Sequence, residues 1–132
     1  MFGLIWVVQL VHYPAFLFVE RERFREFAKF HVDRISFIVV PVMFLEIFTG
    51  AALFLLRWRE YDRIWYIVGF ALIVAIWMVT VTVSVPAHRR LLQGFDEATI
   101  RRLIRWNWLR TIMWTVRAVG LVWVLLKMTR GS

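Results

Sequence analysis

The sequence predicts an all-α integral membrane protein, in which residues 1–132 form one transmembrane domain. The expected architecture is an antiparallel four-helix bundle with up-down-up-down topology. Hydrophobic residues make up 61% of the chain and its mean hydropathy is +0.67, whereas soluble domains are roughly half apolar. The apolar residues form four runs, each long enough to cross a bilayer as a helix. Basic residues concentrate in two of the three segments between those runs.

The predicted spans cover residues 1–19, 35–56, 64–86 and 106–128. Helices are expected because backbone polar groups in lipid must be satisfied within the segment itself. The fourth helix is expected to begin before its apolar run, near Ala98, because Asp96 is a suitable N-cap. Pro14 and Pro41 lie within the first two spans, where proline removes a backbone hydrogen bond and favours a kink. The two halves share a layout of span, basic segment and span, without a convincing sequence repeat.

Charge predicts the orientation of these spans. The net charge is +8 at pH 7, from 17 Lys and Arg residues. Ten of the 17 follow the first and third spans, five lie after the second span or at the C-terminus, and two, Arg110 and Arg117, lie deeper within the fourth. Because cytoplasmic loops are rich in Lys and Arg, both termini are expected outside, in a bacterial inner membrane. Anionic lipid headgroups account for the remaining positive charge, so the expected partners are membrane lipids and not nucleic acid.

Two ionisable residues interrupt the apolar runs, namely Glu46 and Arg117. Charged groups at membrane depth are costly and commonly functional. Counting about 1.5 Å of rise per residue places Gln9, Glu46 and Arg117 at similar depths. A buried ion pair between Glu46 and Arg117, with Gln9 in the same hydrogen-bond network, is therefore expected, since each charge alone would be heavily penalised.

Polar residues at helical spacing on the first, third and fourth spans point to a cavity in the cytoplasmic half. The candidate catalytic residues are His12, His88, Asn107 and Arg110. A histidine can move a proton on a lipophilic substrate, while Asn107 and Arg110 can hold an oxyanion or a phosphate. The cavity is expected to open toward the cytoplasmic leaflet, with Glu46 as its floor.

The cofactor stays open: none, a metal or haem. The absence of cysteine excludes disulfides, thiolate metal sites and a cysteine nucleophile. His12, His31 and His88 are candidate metal ligands because neutral imidazole binds iron, copper and zinc. No two histidines stand four residues apart, and no Glu-x-x-His motif occurs. The sequence therefore favours no metal site.

Three stretches carry a resemblance to known proteins: VQLVHYPAF, FHVDRISFIVVPVMFLE and VPAHRRLLQGFDEATIRRLIRWNWLRT. Together they resemble a group of small, uncharacterised bacterial four-helix membrane proteins. The last stretch is similar, more distantly, to the anthrone oxygenase-like membrane family, whose pattern is matched by Pro86, Arg90–Leu91, Asn107 and Arg110. That family is thought to oxidise polycyclic phenolic substrates, in some members without metal or flavin. The resemblance implies His12, Asn107 and Arg110 as site residues, although AHRR replaces the family's Asn-rich step.

Three functions are compatible with these features. The first is a membrane-embedded enzyme of oxidoreductase or oxygenase type acting on a hydrophobic small molecule, favoured by the converging polar residues. The second is a non-catalytic small subunit or assembly partner of a larger membrane complex, favoured by the small size and the absence of a strong catalytic motif. The third is a transporter or channel formed by oligomerisation, with Glu46 and Arg117 on its path.

Overall fold

The computed structural model describes residues 1–57 and 63–130, which form four helices and contain no strand. The helices are α1 (Phe2–Phe18), α2 (Phe24–Arg57), α3 (Arg63–Leu91) and α4 (Glu97–Arg130). The all-α prediction is confirmed. Helices α2, α3 and α4 are long and apolar enough to cross a membrane, and α1 is a shorter apolar helix. Both α2 and α4 extend about ten residues beyond the predicted spans at their N-terminal ends, where the sequence becomes basic.

Apolar side chains cover much of the outer surface of the protein. Only 11% of the most apolar stretch of α2 is buried within the protein. Phe37 and Phe48 on this helix are 83% and 69% exposed. Patches this large and apolar are rare on soluble monomers and mark surfaces covered by lipid or by another protein. The exposed surface is therefore consistent with an integral membrane protein.

Helix α4 provides most of the polar interior. It packs along α1 and α3, while α2 packs along α3. Close packing of α3 on α4 depends on Gly120, because a Cβ there would stand 3.0 Å from the Trp65 ring. Small residues are used in this way where membrane helices approach closely. Asn107, Arg110, Thr111 and Trp114 are buried on the inner face of α4.

Two helices contain a widened turn next to a proline. Val8–His12 in α1 and Thr80–Ser84 in α3 are π-helical, and each segment ends two residues before a proline, Pro14 or Pro86. Proline cannot donate to the preceding turn and its ring crowds that turn, and a π-turn accommodates both effects. Each residue of an α-helix turns the chain by about 100°, and a π-turn contains one extra residue. Side chains before and after the π-turn therefore do not share the faces that regular α-helical spacing predicts. Helix α2, by contrast, stays α-helical through Pro41.

The two halves of the chain are built alike, which sequence reasoning had not found. The residues at the two deformations read VHYPA at 11–15 and VSVPA at 83–87. A stretch within the first turns of the following helix is also similar, as KFHVDR at 29–34 and RWNWLR at 105–110. His31 thus corresponds to Asn107, and Arg34 to Arg110. Arg34 is exposed whereas Arg110 is buried, so the halves differ in which arginine enters the interior.

Asp96 caps the N-terminus of α4, as the sequence predicted. Its Oδ1 accepts a hydrogen bond from the Thr99 backbone N–H at 3.1 Å, and its Oδ2 accepts from the Thr99 hydroxyl at 2.9 Å. Arg90 Nε also donates to Oδ2 at 2.6 Å. The hydrogen bonds from Thr99, followed by the contact with Arg90, hold the pKa of the Asp96 carboxyl below its ordinary value.

Substituting Asp96→Ala is expected to lower the free energy of unfolding by about 1 kcal/mol at neutral pH, the usual cost of losing such a cap. Because the folded-state pKa is depressed, the charged cap stabilises the protein above the unfolded-state pKa of about 3.9. That contribution is lost as the pH falls through the folded-state value. Chemical denaturation in detergent at neutral and acid pH measures both effects. Asp96→Asn, which keeps the acceptor oxygen, serves as control, and an unchanged Ala variant at neutral pH contradicts the assignment.

Candidate functional site

A cavity of about 120 Å³ lies between α1, α2 and α3, with Arg110 of α4 at its base. Most of its wall is apolar, formed by Met1, Leu4, Ile5, Val8, Ile35, Val39, Val40, Met43 and Val85. One end is polar and presents Tyr13, Ser84, His88 and Arg110. Apolar walls with a few convergent polar groups are typical of sites for small molecules.

Two residues of the cavity wall also reach the outer surface of the helices. Val40 and Val85 on its rim are 45% and 38% exposed. Toward the basic end of the helices, Phe16, Phe24 and Leu91 are each fully buried and fill the space between the helices. The sequence had predicted an opening toward the basic, cytoplasmic end, but this packing of aromatic and aliphatic side chains closes that route.

Tyr13 and His88 form a hydrogen-bonded pair at the polar end. The Tyr13 hydroxyl lies 3.1 Å from His88 Nε2. Tyr13 is 5% exposed, and the His88 ring lies beside that of His31, with centroids 5.2 Å apart. A phenol and an imidazole in direct contact can pass a proton between them. The pair can therefore deliver a proton to, or remove one from, a molecule in the cavity.

The guanidinium of Arg110 is held in a fixed position beside this pair. Arg110 Nη1 donates to Ser84 Oγ at 3.1 Å and to Asn107 Oδ1 at 3.2 Å. Asn107 Nδ2 in turn donates to Gln9 Oε1 at 2.8 Å. Arg110 also lies over the Trp114 ring, 5.1 Å from its centroid, a favourable cation–π arrangement. Such a pre-positioned cation can stabilise negative charge on an oxygen atom without rearranging.

A second arginine, Arg117, lies about two turns further along α4, where its side chain is 11% exposed and paired with Glu46. Arg117 Nη1 lies 3.6 Å from Glu46 Oε1, at ion-pair distance. Trp114 Nε1 donates to Glu46 Oε2 at 2.8 Å. The Trp114 side chain therefore contacts Arg110 with its ring face and Glu46 with its N–H. Glu46 is not among the residues lining the cavity, so it does not form the floor that the sequence predicted.

The remaining predicted site residues divide into two groups. His88 and Arg110 line the cavity, and Asn107 supports Arg110 from behind. His12 does not line it, because His12 Nε2 faces His31 Nδ1 at 2.5 Å. Gln9 bonds to Asn107 and to the Ile104 carbonyl, at 3.4 Å for the latter. It therefore belongs to the Arg110 network and does not join Glu46 and Arg117.

The three histidines considered as metal ligands lie in a row, with ring centroids 4.5 Å apart for His12 and His31 and 5.2 Å apart for His31 and His88. Within the described residues, no three His, Asp or Glu side chains are arranged to hold a metal ion. His12 and His31 direct nitrogens at each other across 2.5 Å. Two imidazole nitrogens on a tetrahedral metal, each about 2.1 Å from it, stand roughly 3.4 Å apart. The two rings are thus in hydrogen-bond contact with each other.

Sequence reasoning did not assign Tyr13, Ser84 and Trp114 to the site. Tyr13 and Ser84 both lie directly beside or within a π-turn, two residues or fewer before a proline. A polar residue just before a proline inside an apolar span was the signal available for both. Trp114 gave no such signal, since tryptophan in a membrane span is commonly an interface residue.

Comparison with known proteins identifies no relative of this chain. No family model matches it, and neither the curated proteins nor the solved structures contain a match.

Proposed function

We propose that the four helices cross a bacterial inner membrane as an antiparallel bundle with up-down-up-down topology. Both termini lie outside, and the two basic segments, after α1 and after α3, lie in the cytoplasm. Three lines of evidence support this proposal. Three helices are long and apolar enough to span a bilayer, their outward faces are apolar, and Lys and Arg are distributed ten against five between the two sides.

Single-cysteine labelling tests this topology, and the chain is suited to it because it contains no cysteine. Glu22→Cys and Gln93→Cys are expected to react with an impermeant maleimide only after the membrane has been permeabilised, so that the reagent reaches the cytoplasm. Met128→Cys is expected to react from outside in intact cells. Labelling of all three positions from the same side would contradict the proposed topology.

We propose further that the protein is a membrane-embedded enzyme that acts on a hydrophobic small molecule taken from the bilayer. The observation that carries this proposal is the position of the Tyr13–His88 pair and Arg110 at the polar end of an apolar cavity. A lipophilic molecule can enter between α2 and α3 without crossing water. Its oxygen-bearing group then meets both a proton-transfer pair and a cation.

The chemistry that these residues support best is proton transfer next to an oxygen function. His88, through Tyr13, takes a proton from a carbon beside a carbonyl or from a phenol, and Arg110 stabilises the negative charge on the oxygen. The same deprotonation begins an oxygenase-type reaction, in which dioxygen oxidises the deprotonated carbon: one oxygen atom becomes the new carbonyl oxygen and the other leaves as water. The oxidoreductase activity that the resemblance implies is therefore compatible with this site.

Untargeted conversion of a membrane extract tests the enzymatic proposal. Wild-type protein and a His88→Gln variant, both in nanodiscs, are incubated in air with an organic extract of bacterial membranes. Liquid chromatography and mass spectrometry then compare the compounds that remain. We expect at least one lipophilic compound to be consumed by the wild type only. Elemental analysis and a visible spectrum of the same preparations establish whether a metal or haem accompanies the protein.

A second candidate function, as a subunit of a larger membrane complex, is favoured by the outward face of α2. Phe44 and Phe48 stack there with centroids 6.3 Å apart, and both are exposed. Lipid covers such a face equally well. Native mass spectrometry from mild detergent distinguishes these cases. A complex or a homo-oligomer gives a mass well above that of one chain, whereas a lipid-covered monomer gives 15.9 kDa plus the mass of bound lipid.

A further inference from the structure

The charge of Arg110 is not balanced by any acidic side chain in the described parts of the chain. Arg110 is 4% exposed. The groups that contact its guanidinium are all neutral, namely Ser84, Asn107, the Trp114 ring and the hydroxyl of Tyr13. Its Nε–H has no hydrogen-bond acceptor among residues 1–57 and 63–130. The guanidinium is thus a buried cation with one donor unused.

In the same helix, the charge of Arg117 is balanced by an acidic side chain of the protein itself. Arg117 lies two turns away and is paired with Glu46. Burying a charge without a partner is costly, and a charged group in a membrane interior normally has one. Among the described residues Arg110 has no acidic partner, but it lines a cavity. This combination indicates that the balancing anion is brought by the ligand.

We infer that the ligand of this cavity is a single-chain amphiphile with a carboxylate head group, bound through that carboxylate to Arg110. The inference rests on the proposed entry of a lipophilic molecule into this cavity, and names the chemical class of that molecule. The hydrocarbon part lies along Ile35, Val39 and Met43 and leaves between Val40 and Val85 into the bilayer. The first carbons after the carboxylate then lie near Tyr13 and His88.

Size favours a single-chain carboxylate over a diacyl phospholipid. Arg110 is the single Lys or Arg residue among those lining the cavity, and one planar guanidinium matches one carboxylate in charge and in shape. A phosphodiester head group also carries a single negative charge, so charge alone does not distinguish it from a carboxylate. A diacyl phospholipid carries two chains and a bulky head, whereas the cavity has a volume of about 120 Å³ and is narrow.

Photo-crosslinking with matched probes tests this inference. The probes are a sixteen-carbon fatty acid bearing a diazirine in its chain, its methyl ester, and a phosphatidylcholine carrying the same acyl chain. Each is added to protein in nanodiscs of neutral lipid, with and without excess palmitic acid. We expect competable labelling of α2 near Val39 and Met43 by the acid. Labelling by the ester is expected to be weaker by about tenfold or more, because it cannot form the charge-assisted contact.

Two substitutions make the test specific to Arg110. Arg110→Met is expected to reduce labelling by the acid to the level of the ester. Arg34→Met, at the corresponding but exposed position of the first half, is the matched control and is expected to label like the wild type. Palmitic acid is also expected to raise the unfolding temperature of the wild type and not that of Arg110→Met. The unfolding transition of Arg110→Met in this second measurement shows that the variant is folded.

The outcomes separate the inference from the proposed function on which it rests. Equal, competable labelling by acid and ester would overturn the carboxylate assignment while leaving a lipophile-binding cavity. Labelling by the phosphatidylcholine but not by the acid would also overturn it. If no probe labels α2 competably, the proposed cavity function fails together with the inference.

Discussion

Arg117→Met is expected to lower the free energy of unfolding by about 3–5 kcal/mol, the usual cost of removing one partner of a buried ion pair. Glu46 would keep its hydrogen bond from Trp114 but lose the cation 3.6 Å away. Its carboxyl group would then keep only the Met1 ammonium, 3.8 Å away, as a cationic neighbour or take up a proton, and either state is less favourable than the present arrangement. Reversible unfolding in mixed micelles, followed by circular dichroism, measures the loss.

The double variant Glu46→Gln/Arg117→Met is the control for this prediction. It removes both charges, so we expect it to recover most of the stability lost in either single variant. Arg110→Met provides a second comparison, because it removes a cation that has no acidic partner in the described residues. We expect it to cost clearly less than Arg117→Met. Single variants of Glu46 and Arg117 that are both as stable as the wild type would show that the pair does not hold α2 to α4.

Tyr13→Phe and His88→Gln are each expected to lower the rate of substrate conversion by about 100-fold or more, within the range that positioned acid–base groups contribute. Both remove one side of the 3.1 Å contact that can transfer a proton. The assay is the consumption of the lipophilic compound identified with the wild-type protein. Thermal unfolding of each variant is measured in parallel to exclude a loss of fold.

His12→Gln is the matched comparison for the site prediction. His12 lies next to His31 and outside the cavity lining, so we expect conversion to stay within about tenfold of the wild type. If His12→Gln lowered the rate as much as His88→Gln, the reacting proton would have to pass along the row of three histidines. The assignment of His88 and Tyr13 as the sole proton-transfer pair would then be wrong.

Features that depend on local sequence or on overall hydropathy could be predicted. The helices follow from four apolar runs, and the start of α4 follows from Asp96, whose contacts lie within three residues of it. Depth counting along straight helices was sufficient to bring Glu46 and Arg117 to the same level, where they lie 3.6 Å apart. The helix boundaries and the common depth of these two residues can both be predicted without knowing how side chains pack.

The errors arise from the π-turns and from packing between distant segments. Depth counting assumes about 3.6 residues per turn throughout, but α1 contains a π-turn at Val8–His12. Gln9 and His12 lie within that turn, so their directions could not be read from regular spacing. Gln9 accordingly bonds Asn107, and His12 bonds His31. The direction in which the cavity opens depends on Phe16 and Phe24 filling one end, which no local pattern specifies.

The most direct test of the central claim is the identity of what the protein holds in its cavity when purified. Wild-type protein and a Val39→Trp variant, whose indole is expected to fill the cavity, are purified in parallel in mild detergent. Organic extracts of both are then compared by mass spectrometry. The account predicts a lipophilic compound, enriched with the wild type near one equivalent and absent from the variant. Identical extracts from two equally folded proteins would contradict it.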